Sequence, residues 1–118
     1  MIQIPGNANV LIMHAPINFR NGIDGTAAIV RVVLQREPMD GAFFVFRSKM
    51  GHSLRILYYD GSGFWICTKR LSTGTFTAAW PKGDGTVCST LLVRELQILI
   101  WGGDPASCRF PDLWRKAS

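Results

Sequence analysis

Leu54-Arg55-Ile56-Leu57-Tyr58-Tyr59-Asp60-Gly61-Ser62-Gly63-Phe64-Trp65-Ile66-Cys67-Thr68-Lys69-Arg70 is the stretch that decides the fold. Two runs of β-forming residues flank Asp60-Gly61-Ser62-Gly63, a strong hairpin turn. If Gly61-Ser62 is the two-residue loop, Asp60 opposes Gly63 and Tyr59 opposes Phe64. The register then sets Tyr58 against Trp65, Ile56 against Cys67 and Leu54 against Lys69. Side chains alternate along a strand, so these pairs share one face. Arg55, Leu57, Tyr59, Phe64, Ile66, Thr68 and Arg70 share the other. Both faces are mostly apolar, so neither is simply solvated. One is expected to meet a helix, the other the remaining sheet or a partner.

Upstream of the hairpin, Phe43-Phe44-Val45-Phe46 is wholly apolar and reads as a central strand covered on both sides. Before it, Ile23, Ala27, Val30 and Leu34 recur at helical spacing between Asn21, a candidate N-cap, and Pro38, a stop. The spacing predicts a helix over residues 22–36. Gly22 and Gly25 inside it point to close approach of another backbone. Val10-Leu11-Ile12-Met13 is the apolar run of an entering strand. Downstream, Ser72-Thr73-Gly74-Thr75 is a turn, and Phe76 to Trp80 reads as a short edge strand ended by Pro81. Ser89 or Thr90 is placed to cap a second helix over residues 90–101, with Leu92, Leu96, Leu99 and Ile100 as its stripe and Gly102-Gly103 as its end. The fold class is therefore α+β: a single domain with an antiparallel sheet of about four to six strands and two helices. The domain is expected over residues 1–103, followed by a basic, Pro-containing tail at 104–118.

Composition narrows the function. The 118 residues are 47% hydrophobic, enough for a real core, so a folded domain is expected. Lys and Arg outnumber Asp and Glu by 13 to 8, a net charge of +5 that suits a polyanionic partner. The N-terminus lacks the pattern of a signal peptide, and no stretch is long and apolar enough to span a bilayer. Cys67, Cys88 and Cys108 are odd in number and far apart, which reads as reduced thiols. A cytoplasmic protein with no membrane contact is expected.

Catalytic chemistry finds no foothold. Asp40, Asp60, Asp84 and Asp104 all adjoin Gly or Pro and serve turns, and Asp24 serves a helix start. His14 and His52 have no cysteine near enough in sequence to share a metal, and no phosphate-loop motif is present. No catalytic residue, metal or cofactor is expected. What stands out is basic and aromatic. Arg47, Lys49, Arg55, Lys69 and Arg70 crowd the central strands, and Asp60 is the only acid from 47 to 70. With Arg20 they form the candidate phosphate-binding set. Tyr58, Tyr59 and Trp65 lie among them as a candidate stacking platform. The competing reading makes the rings core and the cations a solvated rim. If DNA is bound, Arg55 and Arg70 share one face and Lys69 lies on the other. The contact surface is therefore expected at one edge or end of the sheet, with the 47–53 loop supplying Arg47 and Lys49.

Four motifs in series carry a resemblance. They are Asn18-Phe19-Arg20-Asn21-Gly22-Ile23-Asp24-Gly25, Phe43-Phe44-Val45-Phe46-Arg47, Arg55 through Phe64, and Lys69-Arg70-Leu71-Ser72-Thr73-Gly74-Thr75-Phe76, the last followed by Trp80-Pro81. In this order and spacing the chain resembles the TnpB (Orf2) accessory proteins of bacterial insertion-sequence family sixty-six. These are distinct from the RNA-guided nuclease of the same name. Asn18, Arg55, the Tyr58-Tyr59 pair and Thr75 depart from the usual pattern, which has Asp, Lys, a tryptophan pair and a basic residue there. The resemblance implies a non-catalytic accessory protein of a transposable element, acting with its cognate transposase and other element-encoded proteins. Within that setting three roles are open: a DNA-associated adaptor, a protein-interaction subunit that binds the transposase or itself, and an inactive diverged remnant.

Overall fold

The computed structural model describes residues 4–101. Five strands and two helices follow one another as β1 (Val10–Met13), a short 3-10 helix (Phe19–Asn21), α1 (Gly22–Val32), β2 (Phe43–Arg47), β3 (Ser53–Tyr59), β4 (Phe64–Arg70), β5 (Cys88–Leu91) and α2 (Val93–Ile100). The strands form one sheet in the order β4-β3-β2-β1-β5. The α+β class and the strand number agree with the sequence. The hairpin register also holds pair by pair, from Tyr59 opposite Phe64 to Leu54 opposite Lys69. One pairing differs from a purely antiparallel sheet: β1 and β2 run parallel, with Val10 beside Phe43. A parallel neighbour needs a crossover, and α1 is that crossover.

Both faces of the sheet are covered, which explains the unbroken apolar run of β2. On one face Ala27, Val30 and Leu34 pack over Leu11, Met13, Phe44, Phe46 and Leu57. On the other, Val93, Leu96 and Leu99 of α2 pack with Val10, Ile12, Phe43, Val45, Leu54 and Ile56. Consecutive residues of β2 therefore all lose their water, each contributing burial energy to one layer or the other.

The ends of α1 depart from expectation. Asn21 makes no capping hydrogen bond. It is already helical, and the cap lies one turn earlier, where Asn18 Oδ1 accepts from Arg20 N–H at 2.9 Å. A Cβ on Gly25 would lie 2.5 Å from the Asn21 Cβ, so the close approach there is by a side chain of the preceding turn rather than by another backbone. Gly22 has open space around it and is used instead for its φ of +64°. The helix stops at Val32 rather than at 36, because Gln35 takes a left-handed φ of 54° and Arg36 N–H turns back to the Val30 carbonyl.

Two downstream expectations are corrected. Phe76 to Trp80 is not an edge strand. Trp80 N–H closes a turn onto the Thr77 carbonyl, so Phe76 and Trp80, four apart, enter the same core side by side. Their rings meet edge to face at 6.4 Å, and Trp80 Nε1 donates to the Met13 carbonyl at 2.7 Å. Ser89 and Thr90 do not cap a helix. They belong to β5, which pairs with β1, Leu91 beside Val10 and Thr90 beside Leu11. α2 begins after Leu92, whose N–H is accepted by Glu95 Oε1 at 2.8 Å. The expected Gly102-Gly103 stop, the 104–118 tail and Cys108 lie outside the described residues. Among those described, Cys67 and Cys88 are free thiols, and no helix is long and apolar enough to cross a membrane.

Candidate nucleic-acid interface

At the end of the sheet where β2 turns into β3, a cleft of about 810 Å³ opens between the 48–52 loop, the 3-10 helix and the last residue of β4. Each wall is held by identifiable hydrogen bonds. Ser48 N–H donates to the Ser53 carbonyl at 3.0 Å, and Ser48 Oγ accepts from Ser53 N–H at 3.1 Å, closing the loop at its base. Gly51 turns it, at φ 80°, a region that only glycine enters cheaply. A Cβ there would run into Thr77 Oγ1, and Gly51 O accepts from Phe76 N–H at 2.7 Å. The loop is thereby braced from behind by the same segment that seals the core. Arg70 reaches the cleft because it lies opposite Ser53 in the hairpin.

The 3-10 helix is held by Arg55. Its Nη2 donates to the Phe19 carbonyl at 2.9 Å, and its guanidinium lies 4.2 Å from the centre of the Phe19 ring. Arg55 is 9% exposed, and its Nε and Nη1 are buried with no partner among the described residues. Burial lowers its pKa, and among the described residues no carboxylate offsets that effect. A buried guanidinium of this kind is costly unless stacked and bonded. Here one bond and one ring hold it directly beneath the segment that presents Arg20.

The structure therefore distributes the sequence-predicted cations unequally. Arg20, Lys49 and Arg70 are exposed and line the one cleft, together with His52. Among the described residues no Asp or Glu lines it. Arg55 lies below. Arg47 turns to the opposite face, where Nη2 donates to the His14 carbonyl at 2.9 Å and the guanidinium lies 5.5 Å from the Trp80 ring. Burial lowers its pKa as well. Lys69 is exposed on that same opposite face, in a smaller cleft of about 400 Å³ that it shares with Arg70 and Trp101. The three aromatic candidates are not brought together. Tyr58 stacks flat on Phe43 at 4.1 Å, and Tyr59 meets Phe64 edge to face at 5.0 Å on the other side of the sheet. Trp65 is 54% exposed, and its indole N–H donates to Asp60 Oδ2 at 2.7 Å.

Sequence reasoning did not place His52, although it sits in the same polar loop as Lys49. It also did not join His14 to Ser89. The two lie 75 residues apart, and the imidazole Nε2 is 2.5 Å from Ser89 Oγ. Among the described residues no group of three or more His, Cys, Asp or Glu is arranged to hold a metal ion.

Fold and cleft thus define a small α+β domain in which three exposed cations, Arg20, Lys49 and Arg70, meet at one end of the sheet. The family model for IS66 Orf2 like proteins matches residues 8–109, and the chain belongs to that family. The chain is similar to two uncharacterized proteins of Sinorhizobium fredii. It is 36% identical to y4jC over 104 residues, covering 88% of this chain and 86% of that protein. It is 38% identical to y4hO over 104 residues, covering 88% of each. No solved structure matches the chain. The family places it among the accessory proteins associated with transposition by elements of this kind.

Proposed function

We propose that the chain is a non-catalytic adaptor that holds DNA within the transposition complex, in the cytoplasm and beside the transposase of its element. The observation that carries this reading is the cleft lined by Arg20, Lys49 and Arg70 with no acidic residue among those described. Three cations converging without a carboxylate repel one another, an arrangement that an anion relieves. The walls are long-range constructions: the loop is braced on Phe76 and the 3-10 helix on Arg55. Exposed cations on rigid walls suit backbone phosphates, which position a protein on DNA without reading sequence.

The test is a salt series of DNA affinity for the native chain and for Arg20→Ala/Lys49→Ala/Arg70→Ala. Each phosphate contact contributes about 0.9 to the slope of log affinity against log salt, so the triple variant should bind more weakly and lose about 2.7 of slope. Arg31→Ala/Arg36→Ala, which removes two exposed cations around α1, should leave the slope unchanged. An unaltered slope in the triple variant would overturn the cleft as the DNA surface. Absence of binding even at low salt would move the adaptor role to protein contacts. Met50, 76% exposed on the rim of the same cleft, is the residue that favours this second reading.

A further inference from the structure

β4 is an edge of the sheet, and no described strand pairs with its outer side. The hairpin bonds show which backbone groups face outward. Asp60 N–H donates to the Gly63 carbonyl and Leu71 N–H to the His52 carbonyl. In an antiparallel pair the bonded positions alternate. Trp65, Cys67 and Lys69 therefore turn their backbone groups to β3, and Phe64, Ile66, Thr68 and Arg70 turn theirs outward. Natural edges are blunted by short length, proline, bulges or charge. β4 has seven residues in unbroken register and no proline, and its charges, Lys69 and Arg70, sit at one end only. The other end carries Phe64 and Trp65, with the Asp60 carboxylate on the Trp65 indole.

We propose that β4 pairs antiparallel with β4 of a second copy of this chain, about a twofold axis through Cys67. In that register Ile66 and Thr68 of the second copy exchange both backbone hydrogen bonds, and Cys67 meets its own copy in a non-bonded pair with Cα atoms about 4.5 Å apart. Lys69 lies opposite Trp65 of the second copy, so an ammonium group meets an aromatic ring and the carboxylate held against it. Arg70 lies opposite Phe64. A slip of one residue would point the wrong backbone groups outward. A slip of two would set Lys69 against Cys67 or against Gly63 and lose the contact with Trp65. The charges that make a lone β4 asymmetric thus become complementary in the pair. The axis stands perpendicular to the sheet, so both Arg70 clefts face the same side. The two Arg70 positions are six strand residues apart, about 20 Å.

The test uses the full 118-residue chain. Sedimentation should show a species of twice 13.1 kDa that dissociates on dilution. Diamide should link the Cys88→Ser/Cys108→Ser variant, which keeps only Cys67, into a covalent dimer, and should leave the Cys67→Ser/Cys108→Ser variant unlinked. Trp65→Lys sets two lysines against Lys69 in each dimer and should raise the dissociation constant at least about tenfold. Trp65→Lys/Lys69→Glu should recover dimerisation. Thr68→Pro removes an N–H that β3 does not use, so the single chain keeps its fold while the dimer is lost. A monomer at all concentrations would overturn the proposal. So would a dimer that is indifferent to Trp65→Lys and Thr68→Pro and is not linked through Cys67.

Discussion

Replacing Trp80 with phenylalanine tests whether the 71–87 segment is structural cover or surface loop. Trp80 is 3% exposed, although its neighbours Thr77 and Ala78 face solvent. Its Nε1 donates to the Met13 carbonyl at 2.7 Å in a buried setting. Phenylalanine removes that donor and strands the acceptor, which costs about 1–3 kcal/mol. The second ring of the indole also vanishes, leaving roughly 40 Å² of apolar contact unfilled, about 1 kcal/mol at 25 cal/mol per Å². Arg47 keeps a ring to lie over, so that contact changes by a few tenths at most. The sum is about 2–4 kcal/mol, or on the order of 10–25 °C in melting temperature for a domain of this size. Urea unfolding should show a lower midpoint at unchanged slope. Trp65→Phe removes an indole hydrogen bond at the exposed hairpin tip and should cost clearly less. A loss below about 1 kcal/mol for Trp80→Phe would refute the burial argument and return the segment to the status of a solvated loop.

Two other expectations follow from local geometry. Gly51→Ala forces an L-residue to φ 80° and drives a methyl toward Thr77 Oγ1; it should destabilise by about 1–3 kcal/mol in urea, and a Thr77→Ala background should recover only the steric part. Asp60 accepts from Trp65 Nε1 first, then from Ser62 and Gly63, and these bonds hold its pKa below the ordinary carboxylate range. Its contribution is therefore fully present above pH of about 3.9 and lost as pH falls through the lower folded value. Native protein and Asp60→Asn, compared by unfolding across acidic pH, should converge at the acid end; a difference that grows as pH falls would contradict this assignment.

The hairpin was legible because its turn carries its own geometry. Asp60-Gly61-Ser62-Gly63 fixes the loop, and alternation then fixes every pair out to Arg70 opposite Ser53. Phe43 to Phe46 was legible for a similar reason, since four successive apolar residues need cover on both sides. β5 was not. Cys88-Ser89-Thr90-Leu91 has little apolar pattern of its own, and its partner β1 lies more than 70 residues upstream. Its pairing is a non-local fact that no window of sequence contains. Ser89 and Thr90 consequently looked like caps, residues whose local chemistry does suit a helix start. Phe76 to Trp80 misled through composition. Aromatic ends around Thr and Ala suit a strand, yet the four-residue interval between Phe76 and Trp80 also fits a turn that sends both rings to one side.

The site divides along the same line. Counting charge in sequence gives six cations of equal standing, because charge is a composition property and burial is not. The hairpin register already placed Arg70 beside the loop that carries Lys49, so that half of the cleft was readable. Arg20 joins them only through tertiary structure, on a 3-10 helix pinned by a residue 36 positions away. One signal in the sequence bore on Arg55: it shares a strand face with Leu57, Tyr59 and Ile66, an apolar neighbourhood in which a guanidinium must find a carbonyl or a ring. It finds both at Phe19. The same reasoning applies to Arg47, held by the His14 carbonyl and the Trp80 ring. Each of these two arginines donates one hydrogen bond to a backbone carbonyl and lies over one ring, Arg55 holding the 3-10 helix and Arg47 the covering segment. Arg20, Lys49 and Arg70 stay exposed at the cleft, which is where the proposed function needs them. A loss of DNA affinity on mutating Arg55 would accordingly come with a disturbed 3-10 helix. The same loss on mutating Arg70 would leave the fold as it stands.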